Sequence, residues 1–271
     1  MLELEHRFRV VDVHSRLPVE EAVTARGRAI SPEKLEREMH QAGVVSTVVF
    51  PGPQEGQSYL RANNAVARRS VERPFVSFAR INGPRDPTGS TTARLRNFGA
   101  RRKEWHTSPE DIEQYAYDDR FHGFKLDPVQ DGLPDEAVLD QLEDVGLPLL
   151  VHAGDGFSPT HATEALLNRS FPVILSHFGG YPLNRDLMDD AIDLLDSSDD
   201  CYLDTSFVRY RDQLERAIME HPDRVLFGSG APNSHPNVAV MEILTLDVPE
   251  DAMRKVFTKN PSRVVDGLSA E

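Results

Sequence analysis

One cysteine, Cys201, in 271 residues has nothing to pair with inside the chain, so neither a disulfide framework nor a thiolate cluster can be built. Long apolar runs are missing as well. None approaches the ~20 residues that a membrane-spanning helix needs, and the opening MLELEHRFRV lacks the apolar stretch of a secretory leader. The expectation is a soluble, cytoplasmic protein with no membrane contact. Positive charge is scarce too: 30 Lys and Arg stand against 44 Asp and Glu, for a net charge of −14. Nucleic acid is not an expected partner, because a phosphate backbone demands a basic surface. Lysine itself is confined to positions 34, 103, 125, 255 and 259.

Many carboxylates with few lysines resemble the composition of proteins from salt-loving organisms, where surface acidity keeps chains apart. A hydrophobic fraction of 39% is ample for a core at this length. No repeat, low-complexity tract or Ser/Gly linker divides the chain, so residues 1–271 read as one domain. What recurs is a short β-branched apolar run followed by a helix-compatible stretch. The runs are Phe8–Val13, Val44–Phe50, Phe75–Ile81, Phe121–Leu126, Pro148–Val151, Pro172–Leu175, Cys201–Leu203 and Val225–Phe227. Between them lie helix signals such as Ser31-Pro32-Glu33 and Ser108-Pro109-Glu110, each an N-cap, a first-turn proline and an early carboxylate. Asp135–Val145 carries apolar residues at helical spacing and stops at Gly146. Parallel strands need such crossovers, and eight repeats favour closure into a single (β/α)8 TIM barrel. The stretch 83–107, rich in Arg, Gly, Pro and Thr, reads as a long loop after strand three, a lid or a partner contact.

In a barrel of this kind the chemistry sits at the C-terminal ends of the strands. His14, His152 and His177 fall at the mouths of strands one, five and six. A lone histidine after a strand is usually a hydrogen-bonded structural residue; three at one mouth read as a site, since imidazole suits zinc and other transition metals. Of the other histidines, His6, His40, His106, His122, His161 and His221 read as solvated or packing residues. Gly228-Ser229-Gly230-Ala231 after strand eight offers backbone N–H groups that, with Arg16, would cradle an anion; a tight turn is the plainer account. Trp105 is placed either against a ligand or as an anchor for its loop.

Asp-Val-His at 12–14, Lys-Leu-Asp-Pro at 125–128, Val-His-Ala-Gly at 151–154 and Ser-His-Phe-Gly-Gly at 176–180 carry a family resemblance. So do Leu-Asp-Thr-Ser at 203–206, Leu-Phe-Gly-Ser at 226–229 and Lys-Asn-Pro-Ser-Arg at 259–263. Together they resemble the amidohydrolase-2 branch of the amidohydrolase superfamily, from about Val10 to Val265. The resemblance implies a metal-dependent hydrolase barrel whose members cleave amides, lactones and related bonds or decarboxylate small acids. It implies a divalent metal, usually zinc, with His14 and His152 at ligand positions and His177 beside the metal-bound water. Arg16 stands where a second strand-one histidine belongs, and Gly230 where a strand-eight aspartate belongs. Arginine is a permanent cation and glycine has no donor, so the metal set is incomplete.

Three arrangements follow. Asp127, Asp155, Asp204 or His235 completes a modified metal site around His14, His152 and His177. Alternatively the enzyme works with no metal, as some lactone hydrolases of the superfamily do. Arg16, Lys125 and Asp204 then bind a small anionic or cyclic substrate while His177 and His152 handle protons. In the third arrangement catalysis is lost and the barrel binds a ligand or partner. The leading expectation is a hydrolase acting on a small molecule, with a non-catalytic barrel as the alternative and a metal-dependent decarboxylase third. Association of the outer helices into a homo-oligomer is compatible with all three.

Overall fold

A computed structural model describes residues 7–18, 22–24, 27, 29–54 and 56–269. His6 lies outside the described residues. Eight parallel strands run in sequential order: β1 (Val10–Arg16), β2 (Val44–Phe50), β3 (Phe75–Arg80), β4 (Phe121–Leu126), β5 (Leu149–Val151), β6 (Val173–Leu175), β7 (Cys201–Asp204) and β8 (Val225–Leu226). Closure from β8 back to β1 is made by scattered bonds rather than by a full ladder. Val13 N–H donates to Phe227 O at 2.9 Å, Gly230 N–H to His14 O at 3.0 Å and Arg16 N–H to Ala231 O at 2.7 Å. The result is a nearly closed TIM barrel with helices between its strands.

The side chains sort by strand period. Val11, Val13, Val48, Phe50, Val76, Phe78, Leu150, Ile174, Tyr202 and Leu226 form one buried cluster, the filling of the barrel. A larger cluster, including Val10, Val49, Ala79, Leu126, Leu149 and Leu175, meets the helices outside. Gly123 on β4 marks where this packing is tightest. A Cβ there would lie 2.5 Å from the Phe78 ring and 2.7 Å from Pro148 O, so only glycine lets the barrel filling close.

The helix signals act as their chemistry requires. The Ser31 side chain accepts from Lys34 N–H at the start of helix Pro32–Gln41, whose Leu35 and Met39 are fully buried. Ser108 and Asp111 form a reciprocal capping box on helix Pro109–Tyr117. Gly146 ends helix Glu136–Val145 in the left-handed conformation. No described helix is long and apolar enough to cross a membrane.

The stretch 83–107 differs from the expected loop. Thr91–Phe98 is a helix, with Ser90 accepting from Ala93 N–H at its start. Arg85 pairs with Leu133 in a backbone bridge, and Arg102 binds Asp135 with two hydrogen bonds of 2.9 and 3.1 Å. Arginines that looked like loop composition are straps onto an acidic helix start. None of these residues lines the cavity at the barrel mouth. Trp105 does not line the cavity; Lys103 lies over its ring at 4.8 Å, and its backbone carbonyl accepts from Asn82 Nδ2 at 3.1 Å.

Candidate active site

β1 carries two of the site's side chains because its pairing with β2 shifts register between Asp12 and Ser15. Such an irregularity re-aims side chains at a barrel rim. Asp12 itself points into the protein. Its carboxylate accepts from His14 N–H at 2.9 Å, Ser229 N–H at 2.8 Å, Ser15 Oγ at 2.9 Å and Ser229 Oγ at 2.6 Å. It ties β1 to the β8 turn, and burial raises its pKa in spite of these bonds.

His14 and His177 meet over one carboxylate. His14 Nδ1 lies 2.8 Å from Asp204 Oδ2. Asp204 Oδ1 accepts from Ser206 N–H at 2.8 Å, from His177 N–H at 3.3 Å and from the Ser206 hydroxyl. Burial alone would raise the pKa of Asp204; the charge and hydrogen bond of His14 outweigh it and hold the group ionised well below the usual range. His177 sits in the tight turn after β6 with φ 61°, and Phe178 follows at φ 49°. Left-handed backbone costs a non-glycine residue ~1–2 kcal/mol. The bonds from His177 N–H to Asp204 and from Nδ1 to Ser206 O (2.9 Å) keep it there.

These contacts assign the tautomers. Ser206 O can only accept, so His177 Nδ1 carries the proton and Nε2 is a lone pair. His152 Nδ1, 3.1 Å from that Nε2, must then be the donor, which leaves His152 Nε2 as the pair's open lone pair. Both rings are neutral near pH 7. Burial, with the charge of Lys125, takes His152 down to about 3; burial, with the charge of His14, takes His177 well below its ordinary value.

Above the histidines lies a cavity of about 440 Å³. Its charged lining is Arg16, Arg80, Lys125 and Arg209 against one carboxylate, Asp127, with Phe50, Tyr181 and Phe207 as apolar walls. Two of the cations are spoken for: Arg80 by Asp131 (2.9 Å), and Arg209 by Glu242. Arg16 has no ion-pair partner among the described residues, and its pKa is lowered by burial and by the charge of Arg80. Lys125 is 3% exposed, and its Nζ has no hydrogen-bond partner. The ammonium lies 5.3 Å from the centre of the Phe50 ring, and burial lowers its pKa to about 8.

His14, Arg16, Lys125, His152 and His177 therefore converge on one cavity. Asp204 does not reach it. It lies behind His14, fully buried, and orients rings instead of meeting a substrate. Asp127 lines the cavity but caps helix Pro128–Asp131, accepting from Gln130 N–H at 3.2 Å, and stands 4.0 Å from Arg80. Asp155 binds Asn184 and His235 caps helix Pro236–Leu244, both outside the lining. The anion cradle at 228–231 is absent, because its amides are already used. Gly228, Ser229, Gly230 and Ala231 N–H donate to Thr205 Oγ1, Asp12 Oδ1, His14 O and Ser229 Oγ. Sequence reasoning missed Arg80 and Arg209. Arg80 ends β3 as Lys125 nears the end of β4, so the same inspection of strand ends would have found it.

Of the residues able to hold a metal, His14, His177 and Asp204 bring ligand atoms within 4.8 Å of one another. They do not fit the implied site. Both Asp204 oxygens, His14 Nδ1 and both His177 nitrogens are engaged with each other, with His152 or with Ser206, which leaves Nε2 of His14 and Nε2 of His152 as the two open imidazole donors. The place of the strand-eight donor is taken sterically as well as chemically: a Cβ on Gly230 (φ 70°) would lie 2.6 Å from the Phe207 ring. Zinc wants four donors, and Arg16 would oppose any cation beside it.

Comparison with solved structures places the fold among known barrels. An uncharacterised TIM-barrel protein from Bordetella bronchiseptica superposes with a TM-score of 0.68 at 19% identity, over 94% of this chain and 97% of that one. A dihydroxybenzoic acid decarboxylase from a Polaromonas species, with bound manganese and 2-nitroresorcinol, gives 0.64 at 16% identity over 95% and 96%. A 5-carboxyvanillate decarboxylase from Novosphingobium aromaticivorans, also with bound manganese, gives 0.65 at 14% identity over 95% and 97%. A search of curated proteins finds no match. The amidohydrolase family model matches residues 11–267, nearly the full length, and with that match the chain belongs to the amidohydrolase family.

Proposed function

We propose that this protein is a metal-independent enzyme that hydrolyses a small, carboxylate-bearing cyclic ester or amide. The observation that carries the reading is the pair of cations, Arg16 and Lys125, that have no direct ion-pair or hydrogen-bond partner for their charged groups among the described residues and converge with two neutral imidazoles on one cavity. A buried cation without a partner is costly, and a small anion that brings its own charge relieves that cost. Arg16, with its planar fork of donors, suits the substrate carboxylate. Lys125 suits the carbonyl oxygen, where negative charge grows as water adds. His152 Nε2 is the group placed to take the water's proton, with His177 behind it holding the tautomer. A ring at a pKa of about 3 is a weak base in the free protein, and an anion bound nearby raises it.

Decarboxylation is the second reading, favoured by neighbours whose names record that activity. Both hold manganese, a group for which this donor set is unsuited. The test is a panel of carboxylate-bearing lactones and cyclic amides, with and without a chelator. Turnover that survives chelation and falls on His152→Ala and Arg16→Gln is the expected outcome. Turnover abolished by chelation and restored by manganese or zinc refutes the metal-free reading. Arg16-dependent binding without turnover identifies a ligand-binding barrel.

A further inference from the structure

Five lysines are all this chain has, and four are engaged near the surface. Lys34 Nζ donates to Ala29 O, Lys103 rests on Trp105, Lys255 pairs with Asp223 and Lys259 with Asp251. The fifth, Lys125, is buried and aimed at the cavity with no partner. A lysine kept only for charge at a carbonyl oxygen would be as well served beside a carboxylate that steadied it. Its surroundings instead do what a nucleophilic amine requires: they remove water, with Phe50 on one side, and burial with the Arg80 guanidinium nearby outweighs the carboxylates of Asp127, Asp204 and Asp131, none of which hydrogen-bonds Nζ.

We infer that Lys125 is also an imine-forming nucleophile, and that the cavity accepts small 2-oxo carboxylates as a second class of reactant, with Arg16 taking the carboxylate. The inference rests on the proposed reading of the cavity as a small-carboxylate site. In the step, the neutral Nζ adds to the oxo carbon, and the N–C bond forms as the C=O π pair moves to oxygen. The carbinolamine oxygen takes one proton from the nitrogen and a second from solvent and leaves as water, giving a protonated imine. Water reverses the step, and neither oxidant nor reductant is needed. Burial makes the neutral amine available: a pKa of about 8 instead of 10.5 raises its fraction at pH 7 about three-hundredfold over an exposed lysine. The two roles of Nζ then use opposite protonation states. Hydrolysis declines as pH rises through about 8, while condensation increases roughly tenfold between pH 7 and 9.

Pyruvate with cyanoborohydride tests the idea on the wild-type protein, because reduction fixes any imine and five lysines are few enough to map individually by peptide mass. The expected result is one adduct per chain on the peptide containing Lys125, forming faster at pH 9 than at pH 7 and missing from Lys125→Arg. Pyruvate binding is followed separately by thermal shift. Binding that depends on Arg16, with adducts absent or spread over Lys34, Lys103, Lys255 and Lys259, overturns the nucleophile while leaving the carboxylate site standing. No binding of pyruvate, or of any small carboxylate tried beside it, overturns both.

Discussion

Lys125→Met should make this protein more stable while removing the proposed hydrolysis. The native amine is fully buried, and its pKa falls from 10.5 to about 8, chiefly through desolvation. At about 1.4 kcal/mol per unit, a fall of some 2.5 units means that holding the charged form inside costs roughly 3 kcal/mol. Methionine keeps the length and flexibility of the chain without the charge. It forfeits the cation–π contact with Phe50, worth about 0.5–2 kcal/mol. The net gain is about 1–3 kcal/mol at pH 7. The pH dependence identifies the cause. Below pH 8 the lysine is charged in both folded and unfolded chains, and the penalty is present in full. Between about 8 and 10.5 the folded protein releases the proton that the unfolded chain keeps, so wild-type stability rises with pH and the advantage of the variant shrinks. Urea denaturation of both proteins at pH 7 and pH 9.5, in one salt concentration, measures this. A variant less stable than wild type at pH 7 would refute the reasoning, since it would mean that Nζ is stabilised by a partner after all.

Three further outcomes follow from the same contacts. Gly230→Asp should lower stability by about 2–4 kcal/mol, from left-handed strain and from contact with Phe207, and should not create a metal site. Near-stoichiometric zinc or manganese in that variant, by elemental analysis, would show that the missing aspartate was the sole defect. Asp204→Asn should cost about 3–5 kcal/mol by breaking a buried pair with His14, and in folded protein should lower kcat more than it raises KM, because Asp204 orients rings without touching the cavity. An unchanged melting temperature would argue against that pairing. The pH profile of hydrolysis should fall through about 8 on the alkaline side, and the limb should vanish in Lys125→Arg, where the charge is permanent. A limb that stays in place would assign the titration to another group.

The strand ends were the readable part of this chain. Apolar runs, capping serines and Gly146 mark the elements to within a few residues, because local propensity and burial agree there. Strand β1 runs on to Arg16, past the apolar run, since His14 and Arg16 are polar residues held in place by a bulge and by Asp12. His14, His152, His177, Arg16 and Lys125 were found because a barrel mouth gathers whatever follows each strand. The helix Thr91–Phe98 was not, for its apolar side chains Leu95 and Phe98 are exposed and give no buried stripe to read. Which charges are paired was also out of reach. Arg80 finds Asp131, and Lys125 finds nothing, through contacts set by packing across four strands and their loops.

The cavity's cations sit in a body whose total charge is −14. An approaching anion therefore feels repulsion from the whole surface first and attraction from Arg16 and Lys125 only at close quarters. The two act over different ranges, and dissolved ions separate them. At 0.1 M salt the screening length is about 10 Å, and the surface still repels; at 1 M it is about 3 Å, and the repulsion is erased while contacts inside the cavity persist. Capture of a small carboxylate should accelerate as salt is added, the reverse of ordinary electrostatic steering. A capture rate that falls steadily from 0.1 M to 1 M salt would show instead that the cavity's own cations set the approach.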